Sequence, residues 1–254
     1  MWKKRIFTIL SVTAFGILYA FTALFVIIGL PVAFIRWRRA VRFLIRIWAR
    51  NVFRIIGKKL HIEGLDKIRK DGKYILVANH ASLFDIMAIM AFYPGVSWLG
   101  HERLMRIPVF NQILKMTDYV PMRKASVANT RIMIDQLINK SKGHTIAIFP
   151  EGTRTLNGDM NNFYRGFVHL LRASEINLLP VTLNGFYDLK PKNRFYIDFG
   201  SRINVIIHEP IERERLISKS DQEIIDYVRS IMEAALVKQQ HNRHSEKQIS
   251  KSIS

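Results

Sequence analysis

The stretch Tyr74-Ile-Leu-Val-Ala-Asn-His-Ala-Ser-Leu-Phe-Asp85 decides how this chain is read, because an apolar run passes straight into Asn79, His80, Ser82 and Asp85. Tyr74 to Ala78 shows no polar alternation, as expected of a central strand covered on both faces. A second such run, Thr145-Ile-Ala-Ile-Phe149, is followed by Pro-Glu-Gly-Thr-Arg154. Ligands of open α/β sheets collect at the carboxyl ends of the strands. Both polar clusters therefore stand where a site is expected.

Short apolar runs and helical patterns alternate along the rest of the chain after Gly57. The runs predict strands over His61 to Glu63, Tyr74 to Ala78, Val96 to Leu99, Tyr119 to Met122, Thr145 to Phe149, Leu178 to Leu183, Phe195 to Phe199 and Ile203 to Ile207. Helices are predicted over Phe84 to Phe92, Val127 to Asn139, Phe163 to Ala173 and Asp221 to Val237, the last opened by a capping box of Ser220 and Glu223. The fold class is α/β, with a central mostly parallel or mixed sheet flanked by helices.

The N-terminus is of another kind. Ile6 to Ile35 contains no charged residue, which exceeds the roughly 20 apolar residues that cross a bilayer. That length is also too great for a signal-peptide core of about 7–15 residues. A hydrophobic membrane anchor is expected, either a single span or a hairpin dipping into one leaflet, with breaks at Gly16 or Gly29-Leu-Pro31. Basic residues flank it on both sides, and the stronger flank, Arg36 to Arg42, places the following domain in the cytoplasm. The location expected is a membrane such as a bacterial inner membrane.

Residues 36 to 59, RWRRAVRFLIRIWARNVFRIIGKK, carry nine basic residues and no acidic one. Arginines 38, 42, 46, 50 and 54 recur every four residues opposite Val41, Ile45, Trp48 and Val52. This is a basic amphipathic helix, read as lying in the membrane interface, with packing of its apolar side on the domain core as the other reading. It holds nearly half of the formal net charge of +19, so that charge points to a lipid surface and not to nucleic acid. The organisation expected is an anchor and basic helix over 1–59, a catalytic domain over 60–237 and a disordered polar tail over 238–254.

His80 and Asp85, five apart, would lie about 140° from each other on one helix and could not pair there. They meet if His80 occupies the turn after the strand and Asp85 the first turn of the helix. The carboxylate then fixes the imidazole tautomer, and the other ring nitrogen is left to take a proton. Ser82-Leu-Phe-Asp85 also fits an S-x-x-D helix cap. In the second cluster, Gly152 lets the backbone approach a ligand and Arg154 offers a planar fork suited to phosphate; a surface ion pair with Glu151 is the plainer reading. Arg123 in Tyr119-Val-Pro-Met-Arg123 and Arg165 before Gly166 add cations at two more element ends. The chain has no cysteine, which excludes a thiol nucleophile. A metal-dependent lipid hydrolase would call on His80, Asp85, His101, Glu102 and His144, whose spacing fits no metal motif; no metal is expected.

NHASLFD, YVPMR, FPEGTR and the Leu179-Pro180-Val181 run, in that order between Leu60 and Val181, resemble the glycerolipid acyltransferases, specifically the 1-acylglycerol-3-phosphate acyltransferase family. The resemblance implies that His80 is the general base and Asp85 its orienter, acting on the lysolipid hydroxyl. It implies substrate contacts from Asn79, Arg123, Glu151, Gly152, Thr153, Arg154 and Arg165, and an acyl pocket near Pro180. Lysophosphatidic acid and membrane lipids are the partners implied, with acyl-CoA or acyl-acyl carrier protein as co-substrate and no cofactor. The sequence departs from the family at Tyr164, where many members have Lys; Arg165 is the replacement at hand. Another lysophospholipid as acceptor, or a lipid hydrolase, are the alternatives.

Overall fold

The computed structural model describes residues 2–69, 72–107, 111–112, 114, 119–122 and 144–252. Arg123 and the helix expected over 127–139 lie outside these residues. Seven strands form one sheet: β1 (His61–Glu63), β2 (Tyr74–Ala78), β3 (Ser97–His101), β4 (Val120–Met122), β5 (Ile146–Ile148), β6 (Asn177–Asn184) and β7 (Asn204–Ile207), in the order β1-β7-β6-β2-β5-β3-β4. All neighbours are parallel except β6 and β7. The mixed, mostly parallel sheet expected from the sequence is the one observed.

The unbroken apolar run of β2 is explained by what covers it. Tyr74, Leu76 and Ala78 join one buried cluster with α2 (Arg38–Ile55) and α3 (Asp85–Phe92), while Ile75 and Val77 join another with α4 (Gly166–Ala173) and α6 (Asp221–Ser252). Successive side chains point to opposite faces, so a strand buried on both has no position for a polar residue. Pro180 sits inside β6, which a central strand seldom tolerates. Its carbonyl accepts the His208 N–H on the β7 side, and its missing donor falls on that side, between the pairs Val181–Ile207 and Leu178–Ile211, where the ladder is interrupted.

α1 (Trp2–Phe34) is one continuous helix, unbroken at Gly16 and with Pro31 inside its last turn. It is the one helix among the described residues long and apolar enough to cross a membrane. A turn through Arg36, in the left-handed region at φ 57°, folds α2 back along it, and the Trp48 indole N–H donates to Thr22 Oγ1 at 3.1 Å. The two helices form an antiparallel pair.

One side of α2 packs on the domain: Val41, Ile45, Trp48, Val52 and Phe53 are buried, with the Phe53 ring against Phe84 and Phe186, while Phe43 and the preceding Trp37 are exposed. Further outward apolar surface is supplied by α1, through Ile9, Val12, Ile17, Leu24 and Ile27. Residues 195–199 form no strand. They pack on α1 instead, with Phe7 against Tyr196 and Phe199, Phe15 against Phe195, and the Ile197 N–H donating to Ser11 Oγ at 2.8 Å. α6 runs on to Ser252, through a segment that contains neither Pro nor Gly. The Ser220–Glu223 capping box that opens α6 is made in both directions, at 2.7 and 3.3 Å.

Candidate active site

β2 and β5 are parallel neighbours, with Val77 opposite Ile148, so both carboxyl ends open on the same edge of the sheet. The two loops that follow are bonded to each other. The His80 N–H donates to Glu151 Oε1 at 2.6 Å, and the His80 carbonyl accepts the Thr155 N–H at 2.9 Å. The other Glu151 oxygen accepts the Asn161 N–H at 2.8 Å. Glu151 is buried, and burial holds its carboxyl above the usual range, at about 7, against these two bonds, which favour the ionised form.

His80 lies in the loop and Asp85 is the first residue of α3, and the chain between them folds back so that His80 Nδ1 is 2.8 Å from Asp85 Oδ2. The same oxygen accepts the Ala81 and Ser82 N–H groups at 2.7 and 2.8 Å. Asp85 is fully buried, while the His80 side chain is 17% exposed. An oxygen already accepting two N–H donors is an acceptor for Nδ1–H as well, which leaves Nε2 with its lone pair. The imidazole lies flat on Phe149, with ring centroids 4.1 Å apart and planes 13° from parallel, and Phe149 in turn stacks on Trp98. Orientation is fixed in the plane by Asp85 and across it by Phe149.

The cap reading survives in part. Asp85 takes the Ser82 N–H, one half of a capping box, but the Ser82 hydroxyl donates to the Lys190 carbonyl at 2.8 Å and accepts only the Phe84 N–H, at 3.4 Å, in place of the Asp85 N–H. One carboxylate thus shapes the loop and orients the imidazole.

Of the other expected residues, Asn79 bonds to the neighbouring strand. Its amide donates to the Leu183 carbonyl at 3.0 Å and accepts the Leu183 N–H at 2.7 Å, so it extends the β2–β6 ladder and keeps a second N–H and a second lone pair. The reason is its position directly after the last β2 residue, facing a strand that runs further. Glu151 likewise spends its oxygens on backbone. Gly152 adopts φ 64°, and a Cβ there would meet the Tyr164 ring at 3.2 Å. Thr153 Oγ1 accepts from Lys192 Nζ at 3.2 Å. Arg154 is half-buried, and Arg165 stands exposed before α4. Among the described residues no hydrogen bond or ion pair joins Arg165 to the His80 loop. His144, a candidate metal ligand, faces the Arg38 and Arg42 guanidiniums at 3.2 and 3.5 Å, charges that repel a cation.

Sequence reasoning missed Phe149 as a support for the imidazole, although it stands in FPEGTR, and missed Lys190 and Lys192. The Asp-Leu-Lys-Pro-Lys192 stretch carried a signal only in its charge.

A histidine oriented by a buried carboxylate at a strand end is an arrangement that can take up a proton through its second ring nitrogen. A family model described as Acyltransferase matches residues 59–184 of the chain. The chain is 28% identical over 204 residues to a chloroplastic 1-acyl-sn-glycerol-3-phosphate acyltransferase of Arabidopsis thaliana, covering 77% of this chain and 56% of that protein. To the 1-acyl-sn-glycerol-3-phosphate acyltransferase of Borreliella burgdorferi it is 29% identical over 178 residues, covering 69% and 67%. The chain thus spans little more than half the length of the plant relative. The crystal structure of the 1-acyl-sn-glycerophosphate acyltransferase PlsC from Thermotoga maritima superposes with a TM-score of 0.80 at 26% identity, over 93% of this chain and 98% of that one.

Proposed function

We propose that the chain is a membrane-bound O-acyltransferase that moves a fatty acyl group from an acyl thioester to the free hydroxyl of 1-acylglycerol-3-phosphate, giving phosphatidic acid. The observation that carries this reading is the 2.8 Å contact of His80 Nδ1 with Asp85 Oδ2 at the carboxyl end of β2. The matched relatives, which bear that activity in their names, supply the substrate class.

The scheme needs only side chains already placed. Nε2 of His80 removes the proton as the acceptor hydroxyl attacks the thioester carbonyl carbon. The new C–O bond forms, the tetrahedral centre collapses with cleavage of C–S, and the proton on Nε2 passes to the departing thiolate. Asp85 stabilises the imidazolium between the two transfers. Coenzyme A and acyl carrier protein are both thiols that fit this step, no cofactor is consumed, and the absence of cysteine is no obstacle because no acyl-enzyme forms.

Arg154 supplies charge for the phosphate, while Glu151 holds the catalytic loop in place. α1 keeps the site at the lipid surface where a two-chain product and its precursor reside, and the basic flanks favour a cytoplasmic domain. The test is direct: full-length protein in detergent is given lysophosphatidic acid with acyl-CoA or acyl-acyl carrier protein, with and without a chelator. Phosphatidic acid forms in both arms. Release of free fatty acid in place of acyl transfer would assign the site to a hydrolase.

A further inference from the structure

Lys190 is a buried cation of unusual surroundings. It follows the short helix α5 (Phe186–Leu189) and is only 8% exposed. Its ammonium donates to the neighbouring Pro191 carbonyl at 3.2 Å, and among the described residues no carboxylate pairs with it. The charges that bear on it are the guanidiniums of Arg154 and Arg194, so that burial first, and then these two cations, hold its amine below the ordinary lysine value. A buried charge without a counter-ion is costly. Such an arrangement is stabilised when an anion enters.

The surroundings are built to hold that position. Arg194 is occupied by backbone: it donates to the carbonyls of Asp188, Leu189 and Tyr196 and lies over the Tyr196 ring at 4.7 Å. Its role is to brace the loop. The Lys190 N–H closes α5 on Phe186, and the Lys190 carbonyl accepts from Ser82, two residues past the catalytic histidine. Lys192 reaches Thr153, and Arg154 precedes Thr155, whose N–H holds the His80 carbonyl. The loop carrying Lys190 is therefore bonded to both loops of the active site.

We propose that Lys190 forms an anion site with Arg154 and receives the phosphate monoester of the lysolipid acceptor. This rests on the acyltransferase reading for the identity of the lipid, but the anion site itself does not. A guanidinium fork and a compact ammonium are the pair of donors suited to a phosphate dianion. Seating that group beside the Ser82 loop would fix the glycerol hydroxyl relative to Nε2 of His80.

The test uses the full chain in detergent, with Lys190→Met, which keeps the buried stem, and Lys190→Arg, which keeps the charge. Inorganic phosphate, with no acyl donor present, raises the melting temperature of the wild type and of Lys190→Arg but not of Lys190→Met. In turnover, Lys190→Met raises KM for lysophosphatidic acid about tenfold to a hundredfold, the worth of a charge-assisted hydrogen bond. It leaves KM for the acyl thioester unchanged, and it does not affect any turnover of a monoacylglycerol of the same chain length. Equal protection of wild type and Lys190→Met by phosphate, or a KM increase falling on the thioester, overturns the proposal. If phosphate protects only the proteins with a cation at 190 and yet no acyl transfer occurs, the anion site stands and the acyltransferase reading falls.

Discussion

Glu151 accepts the backbone N–H of His80 at 2.6 Å, so a carboxylate from the loop after β5 holds the His80 loop after β2. Its second oxygen holds Asn161. Glu151→Gln keeps the shape but turns one acceptor into a donor facing an N–H. The expected cost is about 1–3 kcal/mol of stability, measured by denaturant unfolding, together with a fall in kcat. The sign of the pH dependence follows from the carboxyl being raised to about 7 from an ordinary value of 4.5. The folded protein holds the extra proton between those values, so this group's stabilisation is complete below 4.5 and is lost as pH rises through about 7. Glu151→Gln removes that slope.

Phe149 lies flat on the His80 imidazole. An aromatic face stabilises the imidazolium formed during transfer by about 0.5–2 kcal/mol. Phe149→Leu keeps apolar bulk and loses the face, so kcat falls by about twofold to thirtyfold while KM for both substrates is unchanged. Phe149→Tyr retains most of the rate. Steady-state kinetics with each substrate varied separately reads the difference.

Asn79 joins β2 to β6 through both atoms of its amide. Asn79→Ala leaves the Leu183 N–H and carbonyl buried without these partners and costs about 2–4 kcal/mol. The remaining folded enzyme keeps its KM values, and a large KM increase for the acceptor in thermally intact protein would return Asn79 to the substrate.

α1 covers residues 195–199 through Phe7, Ser11 and Phe15. Removing residues 1–36 uncovers that segment and the Trp48 side of α2, and the truncated chain aggregates or is digested at 190–201 under limited proteolysis. A monodisperse, protease-resistant truncated domain would show that α1 serves only as an anchor.

The site was legible in the sequence where its geometry is local. The five-residue step from His80 to Asp85 excludes pairing on one helix, and the strand-end turn that permits it follows from the apolar run before it. The strand pair carrying the two clusters was legible too, because β2 and β5 have no polar alternation. What escaped came through tertiary contact. Lys190 meets Ser82 across 108 residues, and nothing in Asp-Leu-Lys-Pro foretells that. The same reason explains 195–199, whose strand-like composition is spent on α1, and α2, whose periodicity alone does not assign its buried side. Asn79 adjoins His80 in the sequence, and its use in prolonging the ladder to Leu183 is a contact that the sequence does not show.

The central claim is that His80 is the base of an acyl transfer. Lysophosphatidic acid acylation is measured with wild-type and His80→Ala proteins in membranes lacking endogenous activity, at matched amounts of folded, membrane-bound protein. His80→Ala loses at least about a hundredfold in rate, within the range a general base contributes, while remaining bound to the membrane. Phosphatidic acid formation by His80→Ala at the wild-type rate would contradict the claim.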